Sequence, residues 1–191
     1  TELLIRAPEA AKLLGATPLG RPEDVEIDPR TGAVYVTLTM FPSRNDAYGE
    51  ILRIEETGGD PLALTFKADT FLSGGIENGF ACPDNLVFDR RGNLWLVSDM
   101  PGHDGPYATF KNNGLYYIPT EGPRAGKVHQ VASAPSGAEF TGTFFSPDGK
   151  TLFLSVQHPA PGWPDGPGTV QRSTVVAITG PALDALVAGD E

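Results

Sequence analysis

Apolar positions in this chain come in short runs, and three stretches follow one plan. Arg21-Pro-Glu-Asp-Val-Glu-Ile-Asp leads through a polar turn at Gly32 into Val34-Tyr-Val. Cys82-Pro-Asp-Asn-Leu-Val-Phe-Asp leads through Gly92 into Leu94-Trp-Leu-Val. Phe140-Thr-Gly-Thr-Phe-Phe leads through Gly149 into Leu152-Phe-Leu. Each stretch predicts a hairpin whose turn closes on a glycine, the residue that reaches positive φ at little cost. The turn glycines are spaced by 60 and 57 residues, the mark of a repeat fold. The second strands are apolar on both parities, so both of their faces should be buried. A sandwich wets one face of each sheet, whereas stacked propeller blades cover both faces of their inner strands. Ile51-Leu-Arg-Ile, Gly114-Leu-Tyr-Tyr-Ile, Val128-His-Gln-Val and Thr174-Val-Val-Ala-Ile supply the outer strands.

The predicted fold is therefore all-β: about three four-stranded antiparallel propeller blades, with repeats near 21–80, 81–138 and 139–191. Pro8 to Leu14 predicts a short helix, with Glu9 near its positive end and Gly15 as its stop. The loops 41–49, 101–113 and 159–169 are long and rich in Gly, Pro, Asp and Asn. Three blades do not close a ring, since propellers have roughly 4 to 8. The terminal blade faces would stay open as apolar patches. Residues 1–191 are thus expected to be a partial propeller, a fragment of a larger chain, with a pairing of two copies as the alternative.

Composition narrows the chemistry. With 14 basic and 24 acidic residues the net charge is −10, which argues against nucleic acid as partner and suits cations. Acidity also serves solubility alone. The single Cys82 excludes an internal disulfide framework and a multi-cysteine zinc site. No apolar run is long enough to span a bilayer, and Thr1-Glu2-Leu3-Leu4 shows no basic leader region.

Carboxylates gather where the first strands begin. Glu23 stands nine residues before Gly32 and Asp84 eight before Gly92, so the two should occupy equivalent places at one end of the channel. Glu139, two residues before the third repeat's equivalent Thr141, points to the same side of its strand. Hard oxygen ligands around a propeller mouth suit Ca²⁺. Acidic residues at strand starts also cap turns or face water. Asp28 and Asp89 read as turn residues, while Asp24 and Glu26 are undecided. Arg21 could grip a phosphate in a bidentate fork, although spacing alone favours an ordinary ion pair with Glu23. His158 reads as structural, Cys82 as a small buried hydrophobe, and His103 and Asp104 as weak candidates. No P-loop, Gly-x-Ser-x-Gly or His-Glu-x-x-His motif is present.

One family unites these features. Leu14-Gly-Ala-Thr-Pro, Arg21-Pro-Glu-Asp-Val-Glu, Tyr48-Gly-Glu-Ile-Leu-Arg-Ile, Pro83-Asp-Asn-Leu-Val-Phe-Asp, Gly92-Asn-Leu-Trp-Leu-Val-Ser-Asp, Glu139-Phe-Thr-Gly, Ser146-Pro-Asp-Gly-Lys-Thr and Trp163-Pro-Asp-Gly occur in that order. The set resembles the mid-to-late, C-terminal part of the PhoX-type alkaline phosphatases, over most of residues 14–178. The resemblance implies half of a six-bladed propeller whose parent hydrolyses phosphate monoesters with iron and calcium at the channel mouth. It also implies export by the twin-arginine route to the periplasm or the extracellular space. By motif position Arg21 would contact phosphate, Glu23 would serve catalysis and calcium, and Asp84 and Glu139 would complete the calcium ligands. The family's Cys-and-Glu iron segment has no match here, and Cys82 is not at that motif. The excised piece is therefore expected to be inactive. A non-catalytic binding scaffold and a calcium-dependent lactonase-like propeller are the competing readings. The scaffold reading expects Arg21 and Glu23 to pair with each other.

Overall fold

A computed structural model describes residues 5–188. The chain lays down three antiparallel sheets one after another. The first contains β1 (Pro22–Ile27), β2 (Val34–Leu38), β3 (Glu50–Glu56) and β4 (Phe66–Ser73). The second contains β5 (Pro83–Phe88), β6 (Leu94–Ser98), β7 (Gly114–Ile118) and β8 (His129–Ser133). The third contains β9 (Glu139–Phe145), β10 (Leu152–Gln157) and β11 (Thr174–Ile178). Strands follow in meander order within each sheet, as propeller blades require.

The hairpin turns form as their composition dictates. Gly32, Gly92 and Gly149 have φ of 77°, 77° and 74°. The Asp28 and Asp89 side chains accept backbone N–H groups inside their own turns, from Arg30 at 2.9 Å and Arg91 at 2.9 Å. Asp89 also accepts the buried Trp95 indole N–H at 3.1 Å, so an otherwise orphaned donor is satisfied. Both aspartates are turn residues.

Parity decides the packing. Leu94 and Leu96 of β6, with Tyr116 and Ile118 of β7, face the first sheet and meet Tyr35 and Ile51. Trp95, Val97, Leu115 and Tyr117 face the third sheet and meet Phe140, Leu152, Leu154 and Val156. Every residue of β6 and β7 is buried. The outer sheets differ because each has one uncovered side. β10 alternates buried and open, with Phe153 39% exposed, and β1 leaves Val25 and Ile27 more than half exposed. The expectation that all three second strands bury both faces therefore holds for β6 and for β2, buried at all but Val34, and fails for β10, where no neighbouring sheet lies on Phe153.

Two further differences concern the edges. The third sheet has three strands among the described residues, and the chain passes from β11 into helix α2 (Pro181–Ala188), whose Leu183 packs on the core. The first sheet gains β4, a mostly exposed edge strand held to β3 by the fork of Arg53 on Asp69. The predicted N-terminal helix is α1 (Ala7–Leu13), with Gly15 following at φ 70° and no residue buried. Residues 1–4, read above for a leader region, and 189–191 at the end of the third repeat lie outside the described residues. Among the described residues no helix is long and apolar enough to cross a membrane.

Arginines two residues before the turn glycines latch successive sheets together. Arg30 donates to the Gly92 carbonyl at 3.3 Å and to the Thr120 hydroxyl at 2.7 Å, and Arg90 donates to the Pro147 carbonyl. At the opposite end, the long loops join second strands to third strands, on the rim where the first strands begin.

Leu96→Ala should cost about 2–5 kcal/mol in denaturant unfolding, because Leu96 is fully buried between two sheets. Phe153→Ala in the same chain should cost less than about 1 kcal/mol, because its face is uncovered. Equal losses would contradict the stacked-sheet packing.

Candidate metal and phosphate site

Strand register defines which side chains meet at the rim. Pro22 pairs with Leu38, Pro83 with Ser98 and Phe140 with Val156, so these three pairs are equivalent. Counting back one residue puts Arg21, Cys82 and Glu139 at one equivalent position. Counting forward one residue puts Glu23, Asp84 and Thr141 at another. One residue past each second strand's pairing residue stand Thr39, Asp99 and Gln157.

Arg21 and Cys82 adopt φ of 48° and 53°, left-handed values that cost a non-glycine residue roughly 1 kcal/mol or more. Matching backbone bonds hold them there, from Thr39 N–H to the Arg21 carbonyl at 3.1 Å and from Asp99 N–H to the Cys82 carbonyl at 2.9 Å. The third sheet continues its ladder instead, with Glu139 paired to Gln157. The chain is therefore turned at Arg21 by its neighbours rather than by local preference.

The three carboxylates predicted from the sequence share one electrostatic neighbourhood, in which Asp84 feels Glu23 and Glu139 feels Asp84. Burial, with Asp99, Glu23 and Asp24 close by, pushes Asp84 from the ordinary 3.8 up to about 6, and Arg21 works against the shift. Glu139 is buried, and burial pushes its carboxyl from 4.5 up to about 8. Its hydrogen bond and repulsion with Asp99 add to that rise, and Asp84 adds to it from farther off. Gln157 donates its amide to Glu139 Oε1. Glu23 reaches the group through Arg21, whose Nη2 lies 3.2 Å from Glu23 Oε1 and 3.8 Å from Asp99 Oδ2. Glu23, Asp84 and Asp99 thus all act on one guanidinium, that of Arg21.

Asp99 and Gln157 escaped the sequence reading. The usable signal was their place, a polar residue just past the end of an apolar second strand, which antiparallel pairing returns to the first strand's start. The other candidates lie elsewhere in role. Cys82 is buried with Met40, Ala81, Met100 and Tyr107, donates its thiol to the Ala47 carbonyl, and is pushed up to about 12 by burial. His158 is exposed past the end of β10, and His103 and Asp104 are exposed in the 101–113 loop.

Of the two metals the resemblance implies, the donor set suits one better than the other. Hard carboxylate oxygens whose burial and mutual repulsion raise their proton affinity fit the chemistry of a calcium ion, which would replace retained protons. The hydroxyl of Thr39, equivalent to Asp99 and Gln157, is buried without a partner. Among the described residues no group of three or more His, Cys, Asp or Glu side chains stands placed to hold a metal ion, so these carboxylates would have to close up around a cation. Iron fits poorly, since the one thiol is protonated and packed among apolar side chains.

Comparison with known proteins places this geometry. The family model described as alkaline phosphatase PhoX matches residues 1–160. The structure of Pseudomonas fluorescens PhoX in complex with vanadate, a transition state analogue, is similar over 93% of this chain at 32% identity and a TM-score of 0.85. XC5397 from Xanthomonas campestris, described as a gluconolactonase, is similar over 84% of this chain at 18% identity and a TM-score of 0.54, a likeness of fold alone. This chain spans 37% of the first of these and 44% of the second. No curated protein matches it.

A pH prediction follows from Glu139. Its folded value lies above the ordinary 4.5, so the fold keeps a proton that the unfolded chain releases. That stabilisation is full below about pH 4.5 and is lost as pH rises through about 8. Melting temperatures in chelator should fall across this window, less steeply for Glu139→Gln. A rise across the window, or an unchanged slope in Glu139→Gln, would contradict the protonated carboxyl.

Proposed function

From the premise that this chain belongs to the PhoX alkaline phosphatase family, we propose that it forms the phosphate-gripping part of a phosphomonoesterase site at a propeller mouth. The observation that carries the reading is Arg21, held in a left-handed turn against Glu23 and Asp99 at the rim where Asp84 and Glu139 also stand. The relative crystallised with vanadate, a phosphoryl-transfer mimic, supports a phosphate ester as the substrate class.

The residues divide the work. Arg21 donates two parallel N–H groups to phosphoryl oxygens, and Glu23 keeps its guanidinium aimed at the rim. Glu23, Asp84 and Glu139, joined by Asp99, would hold Ca²⁺. Bound calcium supplies positive charge against the negative charge that grows on the phosphoryl oxygens. Gln157 fixes one oxygen of Glu139, and the proton kept between Glu139 and Asp99 leaves when the cation arrives. The iron implied by the family resemblance finds no ligand set among the described residues, and no step is assigned to it.

The remaining elements of the proposal concern the whole protein. Further blades, or a second copy, would cover the uncovered faces of the first and third sheets, which carry Val25, Ile27, Phe144 and Val175. The piece alone would be inactive, and the protein would work in the periplasm or outside the cell. The scaffold reading has one observation in its favour, the Arg21–Glu23 ion pair at 3.2 Å. The lactonase reading has the fold likeness alone.

The full-length protein should hydrolyse a chromogenic phosphate ester only with Ca²⁺ present. Glu23→Gln should abolish the activity, and Arg21→Ala should lower kcat/KM by roughly 10²-fold or more. Undiminished hydrolysis after chelation would contradict the reading. Hydrolysis of a lactone panel with no phosphate ester turned over would replace it with the lactonase.

A further inference from the structure

The first strands of the sheets are edge strands, and their inward N–H and C=O groups need partners from the neighbouring sheet. At the seam between the first and second sheets, Asp24 supplies one. Its Oδ2 accepts the Leu86 N–H at 2.9 Å across 62 residues of sequence, and its Oδ1 accepts the Val25 N–H at 2.8 Å. Fully buried Thr37 completes the stitch, accepting the Asp24 N–H at 2.9 Å and donating to the Asp84 carbonyl at 2.5 Å. The backbone of Asp84 is thus held at its own carbonyl and again two residues on.

The next seam repeats the device. Asn85 is the register equivalent of Asp24, and its Oδ1 accepts the Gly142 N–H at 2.8 Å and the Thr141 hydroxyl at 2.5 Å. A neutral amide does there what a carboxylate does at Asp24, so the stitch works through the accepting oxygen rather than the charge.

We propose that Asp24 is a positioning residue for Asp84, fixing through the Leu86 amide where the Asp84 carboxylate stands among its like-charged neighbours. The inference rests on the proposed function and deepens it. Carboxylates at one rim repel one another, and a fixed backbone limits how far that repulsion can drive them apart before a cation binds.

The test measures the Ca²⁺ dissociation constant of the full-length protein, by competition with a fluorescent chelator, beside the Ca²⁺ half-saturation of phosphate-ester hydrolysis. Asp24→Ala and Thr37→Val should raise both by roughly tenfold or more. Asp24→Asn, which keeps an accepting oxygen as Asn85 does, should stay within about threefold of the parent. If Asp24→Ala does not fold, Asp24→Glu takes its place, keeping the charge but displacing the oxygen, and it too should weaken binding. Unchanged constants in Asp24→Ala or Asp24→Glu would overturn the inference. So would an Asp24→Asn as damaged as Asp24→Ala, since charge would then be the cause. A parent protein with no calcium response would overturn the proposed function and this inference together, a result distinct from a responsive parent with silent variants.

Discussion

The two-sided burial of the middle sheet sets the distances on which everything else depends. Leu94, Leu96, Tyr116 and Ile118 fix the first sheet on one side. Trp95, Val97, Leu115 and Tyr117 fix the third on the other. Close packing leaves little freedom in either spacing. Because the first strand of each sheet begins at one rim, this spacing also determines how near Glu23, Asp84 and Glu139 come to one another. A core interaction therefore helps determine the electrostatics of a site at the rim, where burial is the largest influence on Asp84 and Glu139.

Polar links at the two ends of each seam then resist sliding. At the turn end the arginines Arg30 and Arg90 reach across to the following sheet. At the rim the acceptors are Asp24 and Asn85. The seams are not alike in charge. Equivalent positions carry Thr39 and Cys82 at the first seam but Asp99 and Glu139 at the second, so the retained proton belongs to the second seam alone. Arg21 sits where Cys82 and Glu139 sit in the other sheets, which is why one cation faces several anions rather than pairing off with each.

Much of this was legible in the sequence, for a physical reason in each case. Hairpin turns are local, so Gly32, Gly92 and Gly149 with their preceding aspartates announced three repeats. Apolar runs on both parities announced stacked sheets. Glu23, Asp84 and Glu139 were findable because first-strand starts share a rim in any such stack. Asp99, Gln157 and the Asp24 stitch were hidden because each depends on a partner 18 to 62 residues away, fixed by register rather than by neighbours. β4 was hidden because its apolar residues, Phe66, Ala68, Phe71 and Leu72, do not keep one alternating face along the strand. The opened face of β10 was misread because the sequence shows what a strand can bury, not whether a neighbour exists to bury it.

The central claim is that carboxylates from successive sheets and Arg21 form one site for a cation and an oxyanion together. Calorimetric titration of vanadate into the full-length protein, with and without saturating Ca²⁺, tests it most directly. A shared site predicts that calcium tightens vanadate binding by roughly tenfold or more, and that vanadate tightens calcium by the same factor. Vanadate affinity indifferent to calcium would contradict it.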